Sequence, residues 1–113
     1  MQQIVDLQNS PEFQSLDVAL VSIALDSPEE MAAEAAVLGI TDIPLLSDPN
    51  GNVSASYDVL QWAVASGEPS HTFVLVDQSG QIVWVKDYGA PDKPDRTMYV
   101  PVQELIKEIK DNL

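Results

Sequence analysis

The reactive side chains that this sequence lacks narrow its chemistry more than those it contains. Among its 113 residues there is no cysteine and a single histidine, His71. A disulfide, a thiolate nucleophile and a zinc site built from cysteine and histidine all need residue types that are missing or too few. The sequence therefore predicts no metal site, no cofactor site and no catalytic residue of these kinds.

The nearest approach to a hydrolytic triad is the set Ser70, His71 and Asp77. His71 and Asp77 lie at the two ends of a predicted strand, which would separate them by about 20 Å. No serine stands in a Gly-x-Ser-x-Gly motif, which positions the nucleophile in one large class of hydrolases. We therefore interpret His71 as a polar side chain at the start of a strand.

The segment Asp48–Asn52 (DPNGN) has alternating oxygen-bearing side chains, as a calcium loop does. Its glycine comes one residue too early, and Val59 stands where such a loop has a glutamate. We expect instead a turn that starts a helix, in which Asp48 or Asn50 caps backbone N–H groups.

Two tryptophans and three tyrosines could line a ligand groove. Tyr57 and Trp84 fall on periodic apolar positions, so both are predicted to lie in the core. Trp62 does not fall on the regular spacing of apolar residues that marks the buried face of a helix or strand. It is therefore the best candidate for an exposed or interfacial aromatic side chain.

The charges are distributed very unevenly along the chain. The net charge is −13, and residues 1–85 contain no lysine or arginine, because all five basic residues lie in the last 28. Binding to nucleic acid or to an anionic membrane needs clustered cations, so we exclude both partners. No apolar run approaches the roughly 20 residues of a membrane span, and the N-terminus has no signal-peptide pattern, so the default expectation is a cytoplasmic protein.

The first part of the chain predicts a helix, a strand and a second helix. Residues 2–9 have helical spacing but no capping residue in front of them. Residues 18–25 (VALVSIAL) are apolar on both faces, which predicts a strand covered on both sides. Ser27 and Glu30 then form a capping box that opens a helix over 28–38.

The rest of the chain completes one mixed α/β domain over residues 1–113. The hairpin is predicted to share one sheet with the strand at 18–25, and this sheet is flanked by the helices at 28–38 and at the C-terminus. The remaining elements are an edge strand over 43–46, a helix burying Val53, Tyr57 and Leu60, hairpin strands over 72–77 and 81–86, an irregular connection over 87–99 and a helix over 101–111.

Several segments resemble, in order and spacing, the peroxiredoxin-like alkyl hydroperoxide reductase/thiol-specific antioxidant (AhpC/TSA, redoxin) family of the thioredoxin fold. They cover about two-thirds of the chain and imply a thioredoxin-like mixed sheet with a C-terminal β-hairpin and flanking helices. These segments are DSPEE at 26–30, PLLSDPNG at 44–51, TFVLVD at 72–77 and GQIV at 80–83.

The resemblance also implies what this chain lacks. Family members carry a central strand and then a reactive cysteine at a helix N-terminus, where the thiol's pKa is lowered. Residues 1–7 resemble the interior of that helix, so we expect the chain to begin after the cysteine and to lack the N-terminal central strand. The family's thiol-dependent reduction of peroxides or disulfides is therefore not expected of this chain alone.

The resemblance places Trp62, Pro69, Ser70 and His71 in the vicinity of the family's active site, as non-catalytic residues here. Ser70 stands where many members have an arginine. Pro69 lies one position away from the cis-proline of thioredoxin-like reductases.

Three hypotheses follow for the function. The first is a redoxin domain without catalytic residues. The second is a pseudo-enzyme that binds a partner or peptide near Trp62, Pro69 and His71, and the third is an oxidoreductase that receives its thiol from another chain. Because the missing strand would leave strands 18–25 and 72–77 unpaired, we expect self-association or pairing with another chain through exposed strand edges.

Overall fold

A computed structural model describes all residues, 1–113, and the chain divides into two compact units, Met1–Asp58 and Val59–Leu113. No helix has the length and apolar character needed to cross a membrane.

That these two units form a single domain stays a prediction. The first unit contains α1 (Gln2–Gln8), α2 (Pro11–Gln14), β1 (Ser22–Ala24), α3 (Pro28–Leu38), β2 (Leu45–Ser47) and α4 (Asn52–Ser56).

The best-defined helix of the first unit is α3, and its ends follow from local sequence. The Ser27 hydroxyl accepts a hydrogen bond from the Glu30 N–H at 3.2 Å, and the Ser27 N–H donates to the Glu30 carboxylate at 3.1 Å. This is the predicted capping box. Gly39 ends the helix with a φ of +72°, which a residue without a Cβ adopts at little cost.

The sheet of the first unit is smaller than the sequence predicts. β1 covers three residues instead of 18–25, and it pairs in parallel with β2 alone. The side chains of Val21 and Ile23 are 46% and 38% exposed, so the prediction of a strand covered on both sides is wrong. The ladder is short because Pro44 has no N–H to donate and the turn at Asp48 ends β2.

The helix predicted around Val53, Tyr57 and Leu60 is also shorter than expected. α4 ends at Ser56, and Asp58 has a φ of +60°, in the left-handed region that a continuing α-helix cannot accommodate. Tyr57 is consequently 40% exposed, and the prediction that it lies in the core is wrong.

The second unit is an antiparallel hairpin followed by an irregular segment and a helix, as predicted. Gly80 takes a φ of +84° in the hairpin turn, and the Asp77 carboxylate accepts hydrogen bonds from the backbone N–H groups of Ser79 and Gln81. The elements are a 3₁₀ turn (Val59–Trp62), β3 (Thr72–Val76), β4 (Ile82–Asp87) and α5 (Val102–Asn112), whose buried side chains are Leu105, Ile106 and Ile109.

The four strands form two separate two-stranded sheets, one from β1 and β2 and one from β3 and β4. The prediction that the hairpin and the first strand belong to one sheet is therefore wrong. A strand joins a sheet only through hydrogen bonds to a neighbour. No ladder hydrogen bond joins a strand of one sheet to a strand of the other.

Candidate functional site

The predicted site residues Pro69, Ser70 and His71 lead into β3, and Ser70 contacts a buried carboxylate at the end of β4. Asp87 is 3% exposed. Its Oδ1 accepts hydrogen bonds from the hydroxyls of Ser70 and Thr72, the latter at 2.8 Å. Its Oδ2 accepts the Ala90 N–H at 2.8 Å. We call Asp87, Ser70, Thr72 and Ala90 the Asp87 cluster.

The electrostatics of the Asp87 cluster favour an ionised carboxylate. Burial raises the pKa of Asp87, but hydrogen bonds from Ser70, Thr72 and the backbone N–H groups of Gly89 and Ala90 outweigh it. The pKa consequently lies below the ordinary value of an aspartic acid. A carboxylate whose lone pairs are occupied in this way orients its neighbours but is poorly placed to accept a proton from a substrate.

His71 is held against the Asp87 cluster mainly by its backbone. Its carbonyl oxygen accepts the Tyr88 N–H at 2.8 Å, and its ring meets Phe73 edge to face with centroids 5.0 Å apart. Burial lowers the pKa of His71, while the charge of Asp87 opposes that shift. Gly89 packs closely here, since a Cβ on it would lie 2.9 Å from the His71 backbone nitrogen and 2.7 Å from the Met98 sulfur.

The possible triad of Ser70, His71 and Asp77 is not assembled. Asp77 lies in the hairpin turn, where it accepts hydrogen bonds from Ser79 and Gln81, and the carboxylate partner of Ser70 is Asp87. Asp87 is not among the site residues predicted from the sequence, although the predicted pairing of the two hairpin strands could have identified it. Antiparallel pairing of the two strands brings residue 87 opposite Thr72.

Trp62, Pro69 and Trp84 have no contact or backbone conformation that marks a site. Trp62 is half-buried at the end of the 3₁₀ turn, and no ring contact joins it to His71. The peptide bond before Pro69 is trans, as are all others in the chain. Trp84, predicted to lie in the core, is half-buried on β4. The assignment of Trp62, Pro69, Ser70 and His71 to the vicinity of a family active site stays a prediction.

The turn at Asp48 has the capping role that the sequence predicts. The buried Asp48 carboxylate accepts hydrogen bonds from the N–H groups of Val53 and Ser54 at 3.2 and 2.8 Å, and from the Ser54 hydroxyl at 2.9 Å. The Ser54 N–H makes the largest contribution to lowering the pKa of Asp48. No group of three or more histidine, cysteine, aspartate or glutamate side chains in residues 1–113 is arranged to hold a metal ion.

Comparison with protein families and solved structures gives a consistent result. Residues 2–85 match the AhpC/TSA family. The chain is similar to reduced 2-Cys peroxiredoxin of Plasmodium vivax, with 23% identity and a TM-score of 0.72, and to AhpC of Enterococcus faecalis, with 21% identity and the same TM-score. Among curated proteins, no sequence matches significantly.

The two structural matches show the fold. Each covers 97% of this chain, whereas this chain spans 66% and 64% of the two solved chains, less than two-thirds of each. The mixed α/β, thioredoxin-like fold predicted from the sequence is therefore confirmed.

Proposed function

This chain belongs to the AhpC/TSA family, and we propose that this peroxiredoxin-like redoxin domain has no redox activity of its own. The observation that carries the proposal is the absence of cysteine among the 113 residues. The family reaction, as the resemblance implies it, starts from a cysteine thiolate. The similar Plasmodium vivax protein is named for two cysteines.

The chemistry of peroxide reduction explains why no other residue substitutes for the thiol. A thiolate attacks one peroxide oxygen, is oxidised to a sulfenic acid and releases the other oxygen as water or an alcohol. A serine hydroxyl is a far weaker nucleophile without an adjacent base. The Ser70 hydroxyl donates a hydrogen bond to the Asp87 carboxylate, but the lowered pKa of Asp87 makes this carboxylate a weak base.

The proposal also rests on the missing cation. Many family members have an arginine at the position of Ser70, where its charge would stabilise the departing oxygen. The chain's one arginine, Arg96, lies in the irregular segment after β4.

A peroxide-consumption assay tests the proposal. We expect the rate with hydrogen peroxide and either thioredoxin or dithiothreitol as reductant to equal the rate of the same mixture without protein. A cysteine-containing peroxiredoxin run in parallel shows that the assay detects turnover. A rate above the blank that survives removal of metal ions and repurification would contradict the proposal.

A second function, the pairing of this domain with another chain, is favoured by the exposed apolar side chains of its strands. Each two-stranded sheet leaves one unpaired edge on each strand, and a two-stranded sheet is only marginally stable by itself. The exposed apolar side chains in or next to strands are Val21, Ile23, Leu46, Val76, Ile82, Val83 and Val85.

Sedimentation at two salt concentrations tests the pairing, with a second copy of this chain as the first partner tried. We expect association that strengthens with salt, because screening reduces the repulsion between chains of net charge −13. Val85→Lys on β4 should weaken it, and Val37→Lys, which adds the same charge on the exposed side of α3, should not. A monomer at every concentration and salt would contradict self-association.

A further inference from the structure

The turn that starts α4 contains an asparagine followed directly by a glycine, Asn50 and Gly51. Asparagine is one of the chemically labile residue types, because the next backbone nitrogen can attack its side-chain amide. A glycine in the next position hinders this attack least, since it has no Cβ. Asn50 is exposed, and the other asparagines of the chain precede a serine, a valine and a leucine.

The reaction at this pair needs only water. The Gly51 nitrogen loses its proton to solvent and attacks the Cγ of Asn50. The new N–Cγ bond closes a succinimide ring, the Cγ–Nδ2 bond breaks, and Nδ2 takes up a proton and leaves as ammonia. One water molecule then opens the ring at either carbonyl. The products are aspartate and isoaspartate, and in isoaspartate the backbone runs through the former side chain and is one methylene longer.

The structure controls access to the attacking nitrogen. Gly51 is buried, and its N–H donates a hydrogen bond to the Asp48 carbonyl oxygen at 2.9 Å. The same turn is held by the Asp48 carboxylate, which accepts the N–H groups of Val53 and Ser54. We call residues 48–54 the Asp48 turn. It leads into α4, whose five residues are too few for a helix that is stable by itself, so the turn can open locally without global unfolding.

We propose that Asn50 is a deamidation site, that opening of the Asp48 turn sets its rate, and that the isoaspartate product keeps the turn from closing again. The lengthened backbone lies between Asp48 and its partners Val53 and Ser54, so the carboxylate no longer meets both N–H groups. Asp48 and Ser54 are 5% and 4% exposed, and their polar groups would lose these partners in a buried place. The modification is therefore an irreversible switch in the first unit.

Mass spectrometry of the full chain after incubation at neutral pH tests the proposal. Cleavage after glutamate is required, because trypsin finds no lysine or arginine in residues 1–85. We expect the amide of Asn50 to be replaced by a carboxylate about tenfold faster than that of the exposed Asn52, since the β-branched Val53 hinders attack there. Equal rates at the two asparagines, or no replacement at Asn50, would overturn the proposal.

Two variants test the control by the turn. Asp48→Ala should accelerate deamidation of Asn50 about fivefold, because loss of the cap raises the population of the open turn. Asp42→Ala removes an exposed carboxylate of the same unit outside the turn and is the matched control. An unchanged rate in Asp48→Ala, or the same acceleration in both variants, would contradict this control.

Denaturation of aged protein tests the consequence for the fold. Aged wild-type chain should unfold at a lower urea concentration than fresh chain, whereas Asn50→Gln, which does not form the five-membered ring, should not change on ageing. Asn50→Asp gains the charge without the longer backbone, so it should unfold close to fresh wild type. An equal loss on ageing in wild type and Asn50→Gln would show that modification of Asn50 does not open the turn.

Discussion

Asp48 in the first unit and Asp87 in the second are both buried carboxylates that accept hydrogen bonds from backbone N–H groups and hydroxyls, yet their partners lie at very different sequence distances. The partners of Asp48 are five and six residues away. Those of Asp87 include Ser70 and Thr72, which are 17 and 15 residues away. One carboxylate caps a short helix, and the other joins the start of β3 to the chain that follows β4.

The comparison shows that two carboxylates with similar hydrogen bonds stabilise different features of the structure. A cap stabilises a few residues around it, whereas a clamp across a hairpin stabilises the pairing of two distant segments. Both carboxylates are buried and accept several hydrogen bonds, which favours a structural role over proton transfer with a substrate.

The largest effect is expected from Asp87→Ala. Its hydroxyl and N–H partners would lose their acceptor in a buried place, and we expect a loss of about 3 kcal/mol in the free energy of unfolding. Urea denaturation of the full chain measures it, with the exposed Asp92→Ala as the control. If the free energy of unfolding falls by the same small amount in both variants, Asp87 does not stabilise the contact between the start of β3 and the chain that follows β4.

A smaller loss of stability is expected from Asp48→Ala. The partners of Asp48 all lie in the turn that starts α4, so the variant loosens one short helix and not the contact between two distant segments. The same denaturation experiment should rank Asp48→Ala below Asp87→Ala and above Asn50→Ala, since Asn50 is an exposed neighbour in the same turn. The reverse order of the two aspartate variants would show that sequence distance does not separate the two roles.

The same distinction explains which features could be predicted from the sequence. The capping box at Ser27, the cap at Asp48 and the turn at Gly80 each depend on residues within a few positions of one another. The apolar spacing of α5 likewise reports its buried face directly. The predicted capping box, cap, hairpin and last helix are confirmed, the helix being observed at Val102–Asn112.

The features that the sequence did not predict depended on pairing with another part of the chain or on a backbone conformation that the residue type does not require. The apolar run at 18–25 indicates a doubly covered strand, but its actual length is set by β2, which offers only three residues. The spacing of Val53 and Tyr57 suits a helix, but the left-handed conformation of Asp58 ends that pattern. The Asp87 cluster requires the hairpin register, in which Thr72 pairs with Asp87.

The central claim, that Ser70 and Asp87 form a structural clamp instead of an acid–base pair, is tested most directly by titrating the Asp87 carboxyl group with ¹³C NMR in the intact chain. We predict a pKa below the ordinary value of about 3.9, because the hydrogen bonds favour the ionised form. Ionised Asp87 then stabilises the fold above that ordinary value, and the contribution is lost as the pH falls through the lower, folded-state pKa. A pKa raised above 3.9 toward neutrality, where proton transfer becomes efficient, would contradict the account.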